Sequence, residues 1–160
     1  MINAARDVTK TNTSSVETFR APELGVLGYI VASEFDVSGL KEFPKVDILF
    51  SYIQPSTVAL QALVASGAQG IVSAGSGAVG LSGFEKAALQ SLVALPARTR
   101  PVLVRSTRVG NGRVSGCDEL DALGMIPADN LNPQKARILL MLALTRTSDL
   151  KEIQRMFAEY

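Results

Sequence analysis

No histidine occurs among the 160 residues, and cysteine occurs once, at Cys117. The first absence excludes Ser-His-Asp and Cys-His nucleophile pairs, histidine metal sites and a histidine general base within this chain. The second excludes an internal disulfide and a cysteine-rich zinc cluster. An excess of one charge is also missing, since sixteen basic residues face fifteen acidic ones for a formal charge of +1. Binders of nucleic acid or of anionic membranes carry a basic excess or stripe, so neither partner is expected. The densest apolar run, Ile138 to Leu144, falls far short of the roughly 20 residues that a membrane helix needs. Met1 to Asp7 lacks the charged start and apolar stretch of a signal peptide, which predicts a protein that stays in the cytoplasm where it is made. Carboxylate, lysine and hydroxyl chemistry remain, or no chemistry at all, and neither metal nor cofactor is expected.

What is present is the material for a core: 47% of the residues are hydrophobic, enough for one compact domain. Residues 7–18 are crowded with hydroxyls and read as a loop or a strand edge. Pro22, Gly25 and Gly28 keep any strand between Phe19 and Val31 short, with Gly28-Tyr29-Ile30-Val31 the best candidate. Beyond Lys45 the pattern becomes regular. Val46–Tyr52 is a β-rich run, and Pro55–Ser66 carries helix-spaced Val58, Leu60, Leu63 and Val64 before Gly67 stops it. Gly70–Ala74 is a second strand, Phe84–Leu95 a second helix and Pro101–Ser106 a third strand. This alternation predicts an α/β fold, a three-layer parallel sheet of βαβαβ units with right-handed crossovers.

Asn111-Gly112, flanked by Val109 and Val114, predicts a tight hairpin. Asn132-Pro133 supplies a cap and a first-turn proline for a helix through Thr145, whose Ile138 to Leu142 and Leu144 predict burial nearly all round. Asp149 with Glu152 predicts a capping box for the last helix, in which Ile153, Met156, Phe157 and Tyr160 form one apolar stripe.

Four features bear on chemistry. Gly75-Ser76-Gly77-Ala78-Val79-Gly80 matches the dinucleotide fingerprint G-x-G-x-x-G between a strand and a helix. It follows the second strand of the set and not the first, and no ribose-binding acid lies among Gln90 to Ala97, so a tight turn is the plainer reading. Lys10, beside Thr9, Thr11 and Thr13, could act as a base or proton relay if burial lowered its pKa, or be a solvated charge. Cys117 has no histidine to activate it. Asp118, Glu119 and Asp121 could hold a cation but lack paired spacing, so a solvated loop is the plainer reading.

Asp7-Val8-Thr9-Lys10-Thr11-Asn12-Thr13, Leu27-Gly28-Tyr29-Ile30 and Gly70-Ile71-Val72-Ser73-Ala74-Gly75 stand in an order that continues through Arg105-Ser106-Thr107-Arg108 and Leu131-Asn132-Pro133-Gln134-Lys135-Ala136-Arg137 to Glu152-Ile153-Gln154 and Tyr160. That order resembles the C-terminal half of a bacterial type II L-asparaginase or glutaminase-asparaginase, over nearly the whole chain. The resemblance implies residues 1–31 as the end of an N-terminal catalytic domain, 32–45 as a shortened link, and 46–160 as the small C-terminal α/β domain. It also implies hydrolysis of asparagine to aspartate and ammonia by a threonine nucleophile, supported by a second threonine, an aspartate and a lysine. Of these only the lysine has a match, Lys10; the nucleophile stretch, Thr-Gly-Gly-Thr-Ile-Ala-like, and the His-Gly-Thr-Asp-Thr-like stretch do not occur.

Other departures follow the same direction. The family's Gly-Asn-Gly-Asn turn is replaced by Gly77-Ala78-Val79-Gly80, and its neighbour-facing glutamate falls at Cys117, with Glu119 filling that place only if the loop shifts. Family members are homotetramers with shared active sites and are usually exported, so a homo-oligomer, or association with the missing N-terminal half, is expected. Three readings compete: the C-terminal part of an L-asparaginase, inactive alone; a stand-alone, non-catalytic domain that binds a partner or an asparaginase subunit; and an enzyme using Lys10 and a nearby threonine. The last lacks both the family's base and its oxyanion site. Met1 stands directly before the family string, so residues 1–31 are expected to lose their sheet neighbours and to be disordered or domain-swapped while 45–160 fold.

Overall fold

The computed structural model describes residues 2–3, 6–10, 19–20, 26–28, 34–77, 83–96, 99–110 and 112–160. Among the described residues four short strands precede Glu34: β1 (Ile2–Asn3), β2 (Thr9–Lys10), β3 (Phe19–Arg20) and β4 (Val26–Gly28). β1 pairs antiparallel with β4, and β2 with β3 in the register Thr9 to Arg20 and Lys10 to Phe19. The hydroxyl-rich stretch therefore opens with a strand at Thr9–Lys10, and its residues 11–18 lie outside the described residues. Of the strand expected at Gly28–Val31 only Gly28 is described, as part of β4, and Tyr29 to Val31 lie outside the described residues.

The regular part follows the predicted alternation. β5 (Val46–Phe50), α1 (Thr57–Ala65), β6 (Gly70–Gly75), α2 (Gly83–Val93) and β7 (Val102–Thr107) lead to a one-turn α3 (Asp118–Asp121) and a fourth strand, β8 (Met125–Pro127). The sheet order is β5-β6-β7-β8, every pair parallel. α4 (Pro133–Leu144) and α5 (Leu150–Glu159) complete the chain.

Sequential strands joined by right-handed crossovers put the connecting helices on one face. Leu60 of α1, Leu89 and Leu92 of α2 and Leu120 of α3 pack there with Ile71, Leu103 and Met125. The alternate strand residues Val46, Val72, Val102, Val104 and Ile126 pack on the other face with Leu139 and Leu140 of α4 and Ile153, Met156 and Phe157 of α5. This is the three-layer α/β arrangement expected from the sequence. Every residue of β6 and β7 is buried, as in a parallel strand covered on both faces, and this includes the polar Ser73, Arg105, Ser106 and Thr107 as well as the apolar residues.

Local signals set the helix ends. Ser56 Oγ accepts the Val58 N–H at 3.2 Å, so α1 starts at Thr57, and Gly67 at φ 79° ends it as only glycine does readily. Asn132 Oδ1 accepts the Lys135 N–H at 2.9 Å at the head of α4. The all-round burial expected of α4 does not occur: Ile138 is 52% exposed, because the sheet covers one side of the helix only. The capping box is not closed either. Asp149 accepts from Lys151 N at 3.1 Å and donates its own N–H to Thr147 Oγ1 at 3.0 Å, while Glu152 turns to Arg155. Nor do Val109 and Val114 form a hairpin. Val109 is exposed, whereas Val114 is buried and donates its N–H to Asp129 O at 2.9 Å, drawing the chain toward the turn before α4 instead; Asn111 lies outside the described residues.

The segment that leads into β5 is pinned to the end of the chain. Arg146 and Arg155 both pair with the Glu34 carboxylate, and the Phe35 and Tyr160 rings meet with centroids 5.3 Å apart. Hydrogen bonding by Tyr160 and then Arg155 holds the Glu34 carboxyl below its ordinary value of 4.5.

Two consequences are measurable. A Cβ at Gly70 would lie 2.7 Å from Leu140 Cδ2 and 3.1 Å from Val46 Cγ2, all within the packed core. Gly70→Ala should cost about 1–3 kcal/mol by overpacking, read as a lower urea midpoint. For Glu34 the folded pKa is depressed, so its stabilisation is present above the ordinary carboxylate value and is lost as pH falls through the lowered one. Glu34→Gln should therefore melt earlier than the parent at about pH 7 and together with it once both are in strong acid; a constant gap across that range would show that the charge is not responsible.

Candidate functional site

The parallel strands end along one edge, at Phe50, Gly75, Thr107 and Pro127, and α/β sheets place ligands at that carboxyl edge. β2 reaches the same edge from the other side. A cavity of about 440 Å³ lies between them, lined by Arg6, Thr9, Phe50, Thr107, Arg108 and Lys135 among others. Its size suits a small ligand. Its lining is rich in positive charge, and the N-terminus of α4 adds to it through Pro133 and Gln134.

Arg6 fixes the base of β2. Its guanidinium donates to Asp129 Oδ2 at 3.3 Å, to Asn130 Oδ1 and to Phe157 O, and Lys135 Nζ donates to Arg6 O at 2.7 Å. Asp129 is held in turn by Arg113, which donates to both its carboxylate oxygens at 3.1 Å. Asp129 takes φ 54°, uncommon for a residue with a side chain and tolerated best by aspartate and asparagine. Burial lowers the Lys135 pKa from its ordinary value, an effect that Asp7 partly opposes. Burial likewise lowers that of Arg6, with Asp129 acting against it.

Lys10 itself is exposed, four residues beyond this anchor and opposite Phe19. Thr9 lines the cavity; Thr11 and Thr13 lie outside the described residues. The glycine-rich stretch continues from β6 at Gly75, whose carbonyl accepts the Arg108 N–H at 3.0 Å, and its residues Ala78 to Gly80 lie outside the described residues.

The acidic cluster is not the solvated loop its spacing pointed to. Asp118 to Asp121 form α3, with Cys117, half-buried, at its N-cap position. Asp121 accepts from the Cys117 N–H at 2.9 Å and from Arg105 at 2.8 Å, and Glu119 pairs with Lys86 at 2.7 Å. Two of the three carboxylates are thus engaged by cations of the protein, and among the described residues no cluster of acids, cysteines or histidines is placed to hold a metal. Sequence reasoning missed Arg6, Asp129 and Arg105. An arginine directly after the apolar run Val102 to Val104, in a strand expected inside the sheet, was the one visible signal, since a buried charge demands an acid partner.

The family model for the glutaminase/asparaginase C-terminal domain matches residues 45–157. L-asparaginase 2 of Bacillus subtilis is 40% identical across 99% of this chain and 45% of its own length. L-asparaginase 2 of Escherichia coli is 42% identical across 97% of this chain and 49% of its own. The crystal structure of a probable cytoplasmic L-asparaginase from Campylobacter jejuni superposes with a TM-score of 0.82 at 44% identity, covering 97% of this chain and 52% of that one. The chain therefore spans about half the length of the curated relatives it matches.

Three acceptors from two parts of the fold, the turn before α4 and α5, converge on one guanidinium, so Arg6→Ala should release β2. Charge-assisted hydrogen bonds contribute about 1.5–3 kcal/mol, so amide exchange at Val8 to Lys10 should speed up by roughly tenfold or more while β6 and β7 stay protected. Unchanged exchange at those amides would mean that the strand is held by other contacts.

Proposed function

The chain belongs to the glutaminase/asparaginase family, and from that premise we propose that it is the C-terminal part of an enzyme hydrolysing L-asparagine to L-aspartate and ammonia. The observation that carries this reading is the match over 97–99% of the chain to two proteins named L-asparaginase 2. In this reading residues 1–31 close the catalytic domain, 32–45 link the two domains and 46–160 form the small domain. Lys10 is the one catalytic residue the chain supplies, its ammonium serving as the proton relay of the lysine-containing triad. Two features support that role: it stands on a short strand, and that strand is tied through Arg6 to the α/β domain; Lys10 is exposed in these 160 residues, so in this reading it is the N-terminal half that covers it. A threonine hydroxyl is a weak nucleophile without a base and an oxyanion site, so the 160 residues alone are inactive.

A chimera tests this directly. The N-terminal half of the Escherichia coli relative, fused ahead of this chain, should release ammonia from L-asparagine, and the chain alone should release none. Lys10→Met in the chimera should lower kcat by on the order of 100-fold or more with the assembly and the melting temperature intact. Hydrolysis by the chain alone, or a fully active Lys10→Met chimera, would sink the reading.

A further inference from the structure

β2, the strand that carries Lys10, is two residues long, and neither Thr9 nor Lys10 is buried. Among the described residues its ladder with β3 has two pairs, Thr9 to Arg20 and Lys10 to Phe19. A two-stranded ribbon of that size does not hold itself in place in water. What fixes β2 must therefore lie outside it, and the chain just before it is gripped twice. The first grip is on a side chain. The Arg6 guanidinium reaches Asp129, Asn130 and the Phe157 carbonyl, but several rotatable bonds separate it from the main chain. The second grip is on the main chain itself, where Lys135 Nζ donates to the Arg6 carbonyl at 2.7 Å.

Lys135 is built into a rigid part of the fold. It stands in the first turn of α4, where Asn132 Oδ1 accepts its N–H at 2.9 Å and where Pro133 and Ala136 are buried. Its own side chain is half-buried. Burial lowers its pKa and the Asp7 carboxylate opposes that, so residue 7 is drawn toward the same ammonium. We propose that Lys135 is a positioning residue for Lys10, its ammonium fixing the Arg6 carbonyl and with it the line along which β2 leaves the α/β domain. This rests on the reading of Lys10 as the proton relay of an amide hydrolase.

One tether sets a position and leaves rotation free. Two tethers, from α4 on the carbonyl and from the preceding turn and α5 on the guanidinium, fix direction as well. From Arg6 to Lys10 an extended chain reaches roughly 14 Å, so a tilt of roughly 5° at Arg6 carries Lys10 by roughly 1 Å. Misplacement of that size can lower a rate by about 100-fold. A relay moves a proton in the transition state and does not hold the bound substrate. Its misplacement therefore lowers kcat and kcat/KM together and leaves KM alone.

Two measurements test this. In the 160-residue chain, Lys135→Met removes the donor and keeps the apolar stem. Amide exchange at Thr9 and Lys10 should then speed up by roughly tenfold, while Lys135→Arg, which keeps donors and charge, should leave it slow. In the chimera with the Escherichia coli N-terminal half, Lys135→Met should lower kcat about tenfold or more with KM unchanged, and Lys135→Arg should restore most of it. Added to Lys10→Met, the same change should lower kcat by less than about twofold further, since no relay is left to misplace. Melting curves check that every variant folds. Unaltered exchange, or an equal loss of kcat with and without Lys10, would overturn the positioning role and leave the hydrolysis reading standing. A parent chimera without activity would overturn that reading and this role with it.

Discussion

In the four-stranded sheet each strand lies beside the one that precedes it, and a right-handed crossover then leaves no choice of face. α1, α2 and α3 fall on one side, so after β8 the opposite side is bare and the rest of the chain must cover it. α4 and α5 do so, which is why Phe157, Leu140, Ile153 and Met156 are among the largest fully buried side chains. Sequential order has a second consequence. Nowhere does the winding reverse, so the sheet lacks the crevice at which doubly wound folds hold their ligands. The cavity forms instead where the N-terminal strand β2 meets the carboxyl edge.

α5 closes the structure as well as covering it. Phe157, whose side chain is fully buried, offers its backbone carbonyl to Arg6, while Arg155 and Tyr160 hold Glu34 and Phe35. Two segments far apart in sequence thus dock on one ten-residue helix. Such contacts confine the backbone at a few points without adding to the core. They fix where β2, and with it Lys10, stands relative to the sheet. The buried Arg105 works in the same way on the other face, where its pairing with Asp121 ties α3 to β7. Ion pairs of this kind contribute little net stability, but they penalise alternatives that would leave the guanidinium unpaired.

The elements legible in the sequence were those whose residues carry a periodic signal. β6, β7, α4 and α5 each have enough turns or alternations to be read, and Ser56, Asn132 and Gly67 mark ends that the backbone respects. β8 and α3 were not legible, because three or four residues hold less than one full period of either pattern. The closing box expected from Asp149 and Glu152 failed because Glu152 found a stronger partner in Arg155 one turn on. The hairpin expected at Asn111-Gly112 failed because Val114 is drawn to Asp129, fifteen residues further along the chain and at a backbone angle no local rule foretells.

For the candidate site the division is similar. The string around Lys10 and the strings around Leu131 to Arg137 identified the family, because they are runs of particular residues and need no contact to be recognised. By itself, then, the amino-acid order determined the α/β class, the alternation beyond Lys45, the absence of histidine chemistry and the descent of the chain. Tertiary structure alone decided that Arg6 meets Asp129, Asn130 and Phe157, that the acidic cluster serves Arg105 and Lys86, and that Ile138 and Ile53 face water. The reason is physical. Periodicity and capping are set by neighbours a few residues apart, whereas a charge or an exposed methyl group takes its meaning from groups that only the closed fold brings within a few ångströms.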